Sequence, residues 1–174
     1  MIDKENIIQV TIRHIYCGKE QNIKDTNNKI YRSSYKKQLI NNNQKLFITN
    51  VGFVADTQSD KTYHGGVDKA VCVYSARYYD FFKTKHNFEL PDCAFGENLT
   101  IENIDDSDIC IGDRFQSGEV VFEVSQPRQP CWKVSSIIGI KNLTSLVAKE
   151  HKTGFYFRVI KSSKMSMSDN LELI

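Results

Sequence analysis

The chain has 174 residues, of which 40% are hydrophobic and 25% are charged, and its formal net charge at pH 7 is +2. This composition is typical of one globular domain with its own core, and the small net charge gives no reason to expect nucleic-acid binding. No apolar run is long enough to cross a membrane or to form the core of a signal peptide, so the sequence predicts a cytoplasmic protein without a membrane partner.

Four segments in the first half of the chain have the composition of strands. They are residues 7–15, 31–37, 45–54 and 70–74. The polar stretch 18–29 is typical of a loop, and the asparagines at 41–43 mark a turn. Cys72 falls within the last strand, where a free cysteine most often fills space in a core.

An aromatic helix is predicted next. Four aromatic residues between positions 78 and 82 fall at helical spacing after Ser75, a residue type that caps helices, and the pattern ends near His86. We expect this aromatic stripe to belong to the core.

The second half of the chain alternates between strand and helix patterns. It predicts a strand at 119–125, helices at 134–138 and 143–151, and a strand at 155–160. The turn-like residues 116–118 make a hairpin the simplest interpretation of the first of these strands. Asn142 or Thr144 could cap the second helix.

The order of the elements indicates the fold class. Seven or more strands occur in runs with two or three short helices, which favours a mainly β protein with a β-barrel over a parallel sheet. We find no internal repeat and no linker of low complexity, so residues 1–174 are predicted to form a single domain.

Residues 126–133, with the sequence QPRQPCWK, contain the first functional candidate, Cys131. Two prolines stiffen this segment, and Arg128 and Lys133 provide positive charge that favours thiolate over thiol. A functional role and simple packing are about equally compatible with these residues alone. The five cysteines contain no CxxC pair, so neither a zinc framework nor a disulfide scaffold is indicated.

Three other clusters pair glycine with polar residues: 60–69, 95–99 and 111–113. Adjacent glycines let the backbone approach an anion, and His64 and Lys69 could add charge-assisted hydrogen bonds. Each cluster could equally be an ordinary turn.

The ordered motifs HGGVDKAVCVYS, FGENLTI, IGDRF and EVSQPRQPCWK closely resemble the MOSC domain family, and most of all its stand-alone bacterial branch. The resemblance runs from about residue 7 to residue 160. It implies a closed or partly closed β-barrel with a few short helices that binds the molybdenum cofactor, a pyranopterin whose dithiolene holds the metal.

The resemblance also implies roles for individual residues. Cys131 would be the thiolate ligand of molybdenum and the catalytic residue. The other cofactor-binding candidates would contact the phosphate or ring of the pterin, or hold the surrounding loops. They are His64, Gly65, Gly66, Lys69, Glu97, Asn98, Arg128, Trp132 and Lys133.

Proteins of this branch are similar to reductases that convert N-hydroxylated compounds, including hydroxylaminopurines, to amines. The sequence contains no flavin, nicotinamide or iron–sulfur motif, so we expect a separate flavin or iron–sulfur protein as electron donor. A homodimer is a further candidate assembly. The proton donor is open, with His64 and Asp113 as candidates.

Two other functions remain open from the sequence. The chain could be a carrier that holds the molybdenum cofactor, or sulfur as a persulfide on Cys131, without turnover. It could also be a thiol enzyme in which Cys131 is the nucleophile and His64 or His151 is the base.

Overall fold

The computed structural model describes residues 8–174. Within these residues the chain forms three α-helices, which are α1 (Ala76–His86), α2 (Lys133–Ile138) and α3 (Leu143–Lys149). The strands of the same residues are β1 (Gln9–Val10), β2 (Ile12–Cys17), β3 (Gln21–Lys24), β4 (Ile30–Ser33), β5 (Gln38–Leu39), β6 (Leu46–Thr49), β7 (Gly52–Phe53), β8 (Val71–Ser75), β9 (Leu99–Ile101), β10 (Arg114–Ser117), β11 (Val120–Pro127), β12 (Phe155–Lys161), β13 (Ser163–Met165) and β14 (Leu171–Leu173).

Nine of these strands form one sheet in the order β1-β14-β10-β11-β12-β8-β9-β2-β5. Its pairs are antiparallel except for β8 and β9, which run parallel. Two small sheets, β13-β6-β7 and β3-β4, complete the β structure described. The prediction of a mainly β protein is confirmed. The predicted barrel is not confirmed, because the large sheet ends at the two-residue strands β1 and β5, which do not pair with each other.

The main hydrophobic core combines residues of the large sheet with residues of the small sheet β13-β6-β7. The alternation predicted for residues 119–125 is real, since Val120, Phe122 and Val124 are buried on β11, and β10 pairs with β11 as the expected hairpin. Phe122 stacks on Phe157 of β12 at a centroid distance of 5.0 Å. Each buried aromatic side chain of this size contributes a large apolar area to the stability of the fold.

A second core forms where α1 packs beside β8 and the loop that precedes β9. Tyr78 and Phe82 of α1 are buried there, which confirms the prediction for the aromatic stripe. Tyr74 at the end of β8 stacks on Phe95 at 4.0 Å. This second core therefore fixes the loop 93–98 against the helix.

Several boundaries differ from the predictions. The stretch 18–29 is not a loop throughout, because β3 and β4 form a hairpin around a turn in which Asp25 accepts hydrogen bonds from two backbone N–H groups. On β3 only Ile23 is buried, so the hairpin lacks the apolar alternation that identifies a strand. The predicted strand 45–54 is two strands, β6 and β7, joined by a turn.

The helices lie where they were predicted, but the residues expected to cap them make no capping hydrogen bond through their side chains. Ser75 precedes α1, yet its hydroxyl donates to the carbonyl of Ile104 instead of capping the helix. Asn142 precedes α3 in a left-handed conformation and makes no side-chain cap either. None of the helices in residues 8–174 has the length and apolarity needed to cross a membrane.

Gly154 offers a direct test of the packing between β12 and β8. Its φ is +76°, and a Cβ there would lie 2.5 Å from the carbonyl oxygen of Val73. Gly112 is the matched control, since its φ is +98° and a Cβ would meet nothing within 4 Å. Gly112→Ala should cost about 1–2 kcal/mol through backbone conformation alone.

Gly154→Ala should lower the free energy of unfolding by about 2 kcal/mol more than the control, because the backbone must also move away from the added methyl group. Urea denaturation followed by circular dichroism measures both values. Equal losses in the two variants would contradict the close contact described here.

Candidate functional site

A cleft in two parts opens beside the segment 126–133. The inner cleft is about 100 Å³ and the outer cleft about 850 Å³. The outer volume lies within the usual range of small-molecule sites, roughly 300–1,000 Å³. The side chains that line both parts include His64, Lys69, Arg128, Cys131, Lys133 and Tyr156. Five of the candidates that the sequence analysis selected therefore line both parts, and Asn98 and Trp132 each line one part.

Arg128 is the buried cation of the cleft, with 7% of its surface exposed. Its Nη2 donates to the carbonyl of Phe95 at 2.6 Å, and its guanidinium lies 5.7 Å from the centre of the Phe95 ring. Its backbone N–H donates to the carbonyl of Gly154 at 2.8 Å. It forms no ion pair with any carboxylate of residues 8–174. The inner cleft therefore carries a buried guanidinium that forms no direct ion pair within the described residues.

Cys131 is half-buried at the point where the proline-rich segment enters α2. Its carbonyl accepts hydrogen bonds from the N–H of Val134 at 3.0 Å and from Oγ1 of Thr144 at 3.1 Å. These bonds tie the cysteine backbone to α2 and to α3. The backbone of Cys131 consequently has a defined position, and the residue lines both parts of the cleft.

His64 lies in the cleft, but not as the cation that the sequence suggested. Burial lowers the pKa of its imidazole, and the charge of Asp60 only partly opposes this effect. The nearby cations, Lys133 first among them, lower it further. The ring is therefore neutral at pH 7, and it can serve as a hydrogen-bond donor or acceptor without adding charge.

Glu97 and Asn98 hold the loops together. Glu97 is fully buried, does not line the cleft, and accepts hydrogen bonds from Tyr79 at 2.6 Å and from Oγ1 of Thr100 at 3.1 Å. Asn98 lines the inner cleft, but its Oδ1 accepts from the N–H of Cys72 at 3.1 Å. Because these polar groups are already engaged, the structural role that we allowed for both residues describes them better than ligand binding.

Gly65 and Gly66 do not line either cleft. The N–H of Gly66 donates to Oε1 of Gln58 at 3.0 Å, and a Cβ on Gly65 would lie 2.9 Å from the same oxygen. The two glycines therefore let the backbone before Lys69 pack closely against the Gln58 side chain. The expected backbone cradle for an anion is absent from this part of the described chain.

Lys69, Lys133 and Trp132 complete the predicted set. Both lysines line the two clefts, and Nζ of Lys69 donates to the carbonyl of Tyr63 at 2.6 Å. Trp132 lines the outer cleft. Asp113 and His151 line neither cleft, and Asp113 instead accepts the N–H of Cys110 at 2.8 Å. Neither Asp113, a candidate proton donor, nor His151, a candidate base for Cys131, therefore lies on the cleft.

The sequence analysis missed an ion pair on the inner wall. Nζ of Lys37 lies 2.5 Å from Oδ2 of Asp56, and these side chains are only 7% and 9% exposed. Asp56 also accepts hydrogen bonds from the N–H of Gly18 at 2.7 Å and from Nδ2 of Asn98 at 2.8 Å. The two residues are 19 positions apart in the chain, and no local pattern pairs them.

Cys72 also differs from its prediction. It is buried, as expected of a space-filling cysteine, but it lines the inner cleft as well. Burial raises the pKa of its thiol, whereas the charge of Arg128 acts in the opposite direction. The periodicity of β8 could not show that its thiol faces a cleft, because all five residues of the strand are buried.

Comparison with known proteins places this arrangement in a family. The MOSC domain family model matches residues 60–172. The chain is 46% identical over 122 residues to YflK, an uncharacterized protein of Bacillus subtilis, covering 70% of this chain and 55% of the relative. It is 36% identical over 135 residues to the protein YiiM of Escherichia coli, covering 75% of this chain and 59% of YiiM.

Two further matches extend the comparison. A Gibberella moniliformis protein named reductase is 31% identical over 134 residues, which are 74% of this chain and 24% of that protein. The crystal structure of YiiM from Geobacillus stearothermophilus superposes with a TM-score of 0.74 at 25% identity, covering 95% of this chain and 75% of the other. The chain spans less than two thirds of the length of the curated relatives.

The Lys37–Asp56 pair predicts a large effect on stability. Lys37→Met should lower the free energy of unfolding by about 3–5 kcal/mol, because it leaves a buried carboxylate without its cation. The exposed pair Lys83–Glu89, whose side chains are 65% and 80% exposed, is the control. Lys83→Met should change stability by less than about 1 kcal/mol.

Chemical denaturation of Lys37→Met, of Asp56→Asn and of the double variant Lys37→Met/Asp56→Asn measures the coupling between the two residues. The double variant should be more stable than Lys37→Met alone, since it no longer buries an unpaired charge. Additive losses from the two substitutions would show that the residues do not interact as described.

Proposed function

The chain belongs to the MOSC domain family, and from this premise we propose that its cleft binds the molybdenum cofactor and reduces N-hydroxylated compounds to amines. The observation that carries the proposal is that Cys131 lies in the same cleft as the guanidinium of Arg128, which is buried and forms no ion pair within the described residues. A soft sulfur ligand beside a site for an anion matches the two ends of a pterin phosphate that carries a metal dithiolene.

The residues present fit this group in three respects. A thiolate from Cys131 suits a thiophilic metal. Arg128, Lys69 and Lys133 suit a phosphate. Ser59 lines the inner cleft, and its buried hydroxyl has no hydrogen-bond partner among residues 8–174. Such a group is normally satisfied, so a polar ligand in the inner cleft accounts for it.

The proposed reaction is R–NHOH + 2 e⁻ + 2 H⁺ → R–NH₂ + H₂O. The bound cofactor would supply the two-electron chemistry, and the chain would supply binding, orientation and exclusion of water. His64 offers a neutral ring nitrogen to the cleft. Tyr156 offers a phenol that keeps its proton, because burial raises the pKa of its hydroxyl. Both are therefore able to hold a hydrogen bond to a neutral substrate.

The electrons would come from a separate flavin or iron–sulfur protein. The fungal relative named reductase supports the oxidoreductase class, and the region that this chain matches is 24% of its length. The substrate class follows the resemblance to reductases of the stand-alone branch.

Cys131→Ser tests the proposal, with Cys110→Ser as the matched control because Cys110 is exposed and lies outside both clefts. After expression in a host that makes the cofactor, turnover of 6-hydroxylaminopurine with a chemical electron donor should fall at least about 100-fold in Cys131→Ser. The control should keep wild-type turnover. Circular dichroism should show both variants folded.

Elemental and pterin analysis of the same samples separates the alternatives. Wild-type protein that contains molybdenum and pterin but does not turn over would support the carrier function. Protein that contains neither would contradict both functions. Full turnover in Cys131→Ser would contradict the assigned site.

A further inference from the structure

Two large aromatic side chains on the wall of the outer cleft are left exposed. Trp132 is 51% exposed and Tyr63 is 70% exposed, and both line the outer cleft. Single exposed apolar residues are common, but aromatic side chains grouped in a concave surface are typical of ligand sites. Neither ring is needed for the core, since neither belongs to one of the two hydrophobic clusters.

Trp132 is held in place by a single aromatic neighbour. Its ring lies 5.0 Å from the ring of Tyr31 at an interplanar angle of 66°. Tyr31 belongs to β4, and the β3–β4 hairpin is joined to α2 by a hydrogen bond from the N–H of Thr26 to the carbonyl of Ser136 at 3.1 Å. The hairpin therefore orients the indole but leaves about half of the residue to solvent.

Tyr63 is anchored through its backbone. Its N–H donates to Oδ1 of Asp60 at 3.1 Å, and its carbonyl accepts from Nζ of Lys69 at 2.6 Å. The segment that carries the ring is thus fixed at the edge of the cleft while the ring itself is exposed. Two anchored segments of the chain thus place Tyr63 and Trp132 on the lining of one cavity.

We propose that Trp132 and Tyr63 stack on a planar heteroaromatic ring of the substrate and make the cleft selective for N-hydroxylated aromatic bases over aliphatic hydroxylamines. The identity of the reacting group rests on the proposed function, whereas the stacking site does not. Asp60, Gln126 and Gln129 line the same cleft and offer donors and acceptors to the polar edges of such a ring. Removing one stacking side chain should weaken binding about tenfold or more.

The chain contains one tryptophan, so its tryptophan fluorescence reports on this site alone. We would titrate the whole protein, both with its cofactor and after expression in a cofactor-deficient host, with adenine, 6-hydroxylaminopurine and N-methylhydroxylamine. Free tryptophan corrects for absorption by the purines. Saturable quenching by both purines and none by N-methylhydroxylamine is expected.

Tyr63→Ala should raise the purine dissociation constant about tenfold or more while the fluorescent residue is retained. Phe47→Ala is the control, because Phe47 is 46% exposed on β6 and lies outside the cleft. It should leave the constant unchanged. In turnover, Trp132→Ala should raise KM for 6-hydroxylaminopurine more than it lowers kcat, and Trp132→Phe should restore much of the loss.

The outcomes distinguish this inference from the proposed function. Purine binding without any reduction would support the stacking site and contradict the reductase. Reduction of both substrate classes with equal KM, or quenching that does not saturate, would overturn the stacking site alone. Quenching caused by cofactor loading, with no purine binding afterwards, would assign Trp132 to the pterin and would also overturn it.

Discussion

The buried guanidinium of Arg128 is the constraint on which the cleft depends. Arg128 joins three segments that are far apart in the chain, because its guanidinium donates to the carbonyl of Phe95 and its backbone N–H, in the segment 126–133, donates to the carbonyl of Gly154. A buried charge is costly unless hydrogen bonds compensate it, and here they come from neutral groups. No carboxylate of the described residues forms an ion pair with this charge, so its charge is available to an anion that enters the inner cleft.

A second anchor extends this network to Gly154. Its N–H donates to Oδ2 of Asp106 at 2.8 Å, and its carbonyl then accepts the N–H of Arg128. Burial raises the pKa of Asp106, although the N–H of Gly154 partly opposes this. The turn before β12 is therefore fixed from one side by a carboxyl group and holds the cysteine segment from the other.

Another part of the inner-cleft lining is built differently. There the charge of Lys37 is matched by Asp56, and the amide of Asn98 completes the coordination of that carboxylate. The lining of the inner cleft thus contains one buried cation that is paired with a carboxylate, Lys37, and one that is not, Arg128, and Cys131 lies in the same cleft. Such an arrangement orients a ligand that has one anionic end and one sulfur-binding end.

Sequence reasoning succeeded where chemistry is local and failed where it depends on distant contacts. The alternation around Phe122 and the aromatic spacing in α1 predicted their elements, because periodicity records which face is buried. Cys131, Arg128 and Lys133 were selected because a proline-flanked basic segment is unusual, and the structure places all three on the cleft. The Lys37–Asp56 pair and the cleft-facing side of Cys72 were missed, since both arise only when segments remote in sequence meet. Ser75 was predicted to cap α1 from its residue type and position. Its hydroxyl instead donates to the carbonyl of Ile104, 29 residues further along the chain, and this partner is not visible in the local sequence.

X-ray absorption at the molybdenum edge of protein loaded with cofactor tests the central claim most directly. The account predicts one sulfur neighbour more in the wild-type protein than in Cys131→Ser, with Cys110→Ser identical to the wild type. The same number of sulfur neighbours in all three proteins would contradict the assignment of Cys131 as the residue that the cofactor meets in this cleft.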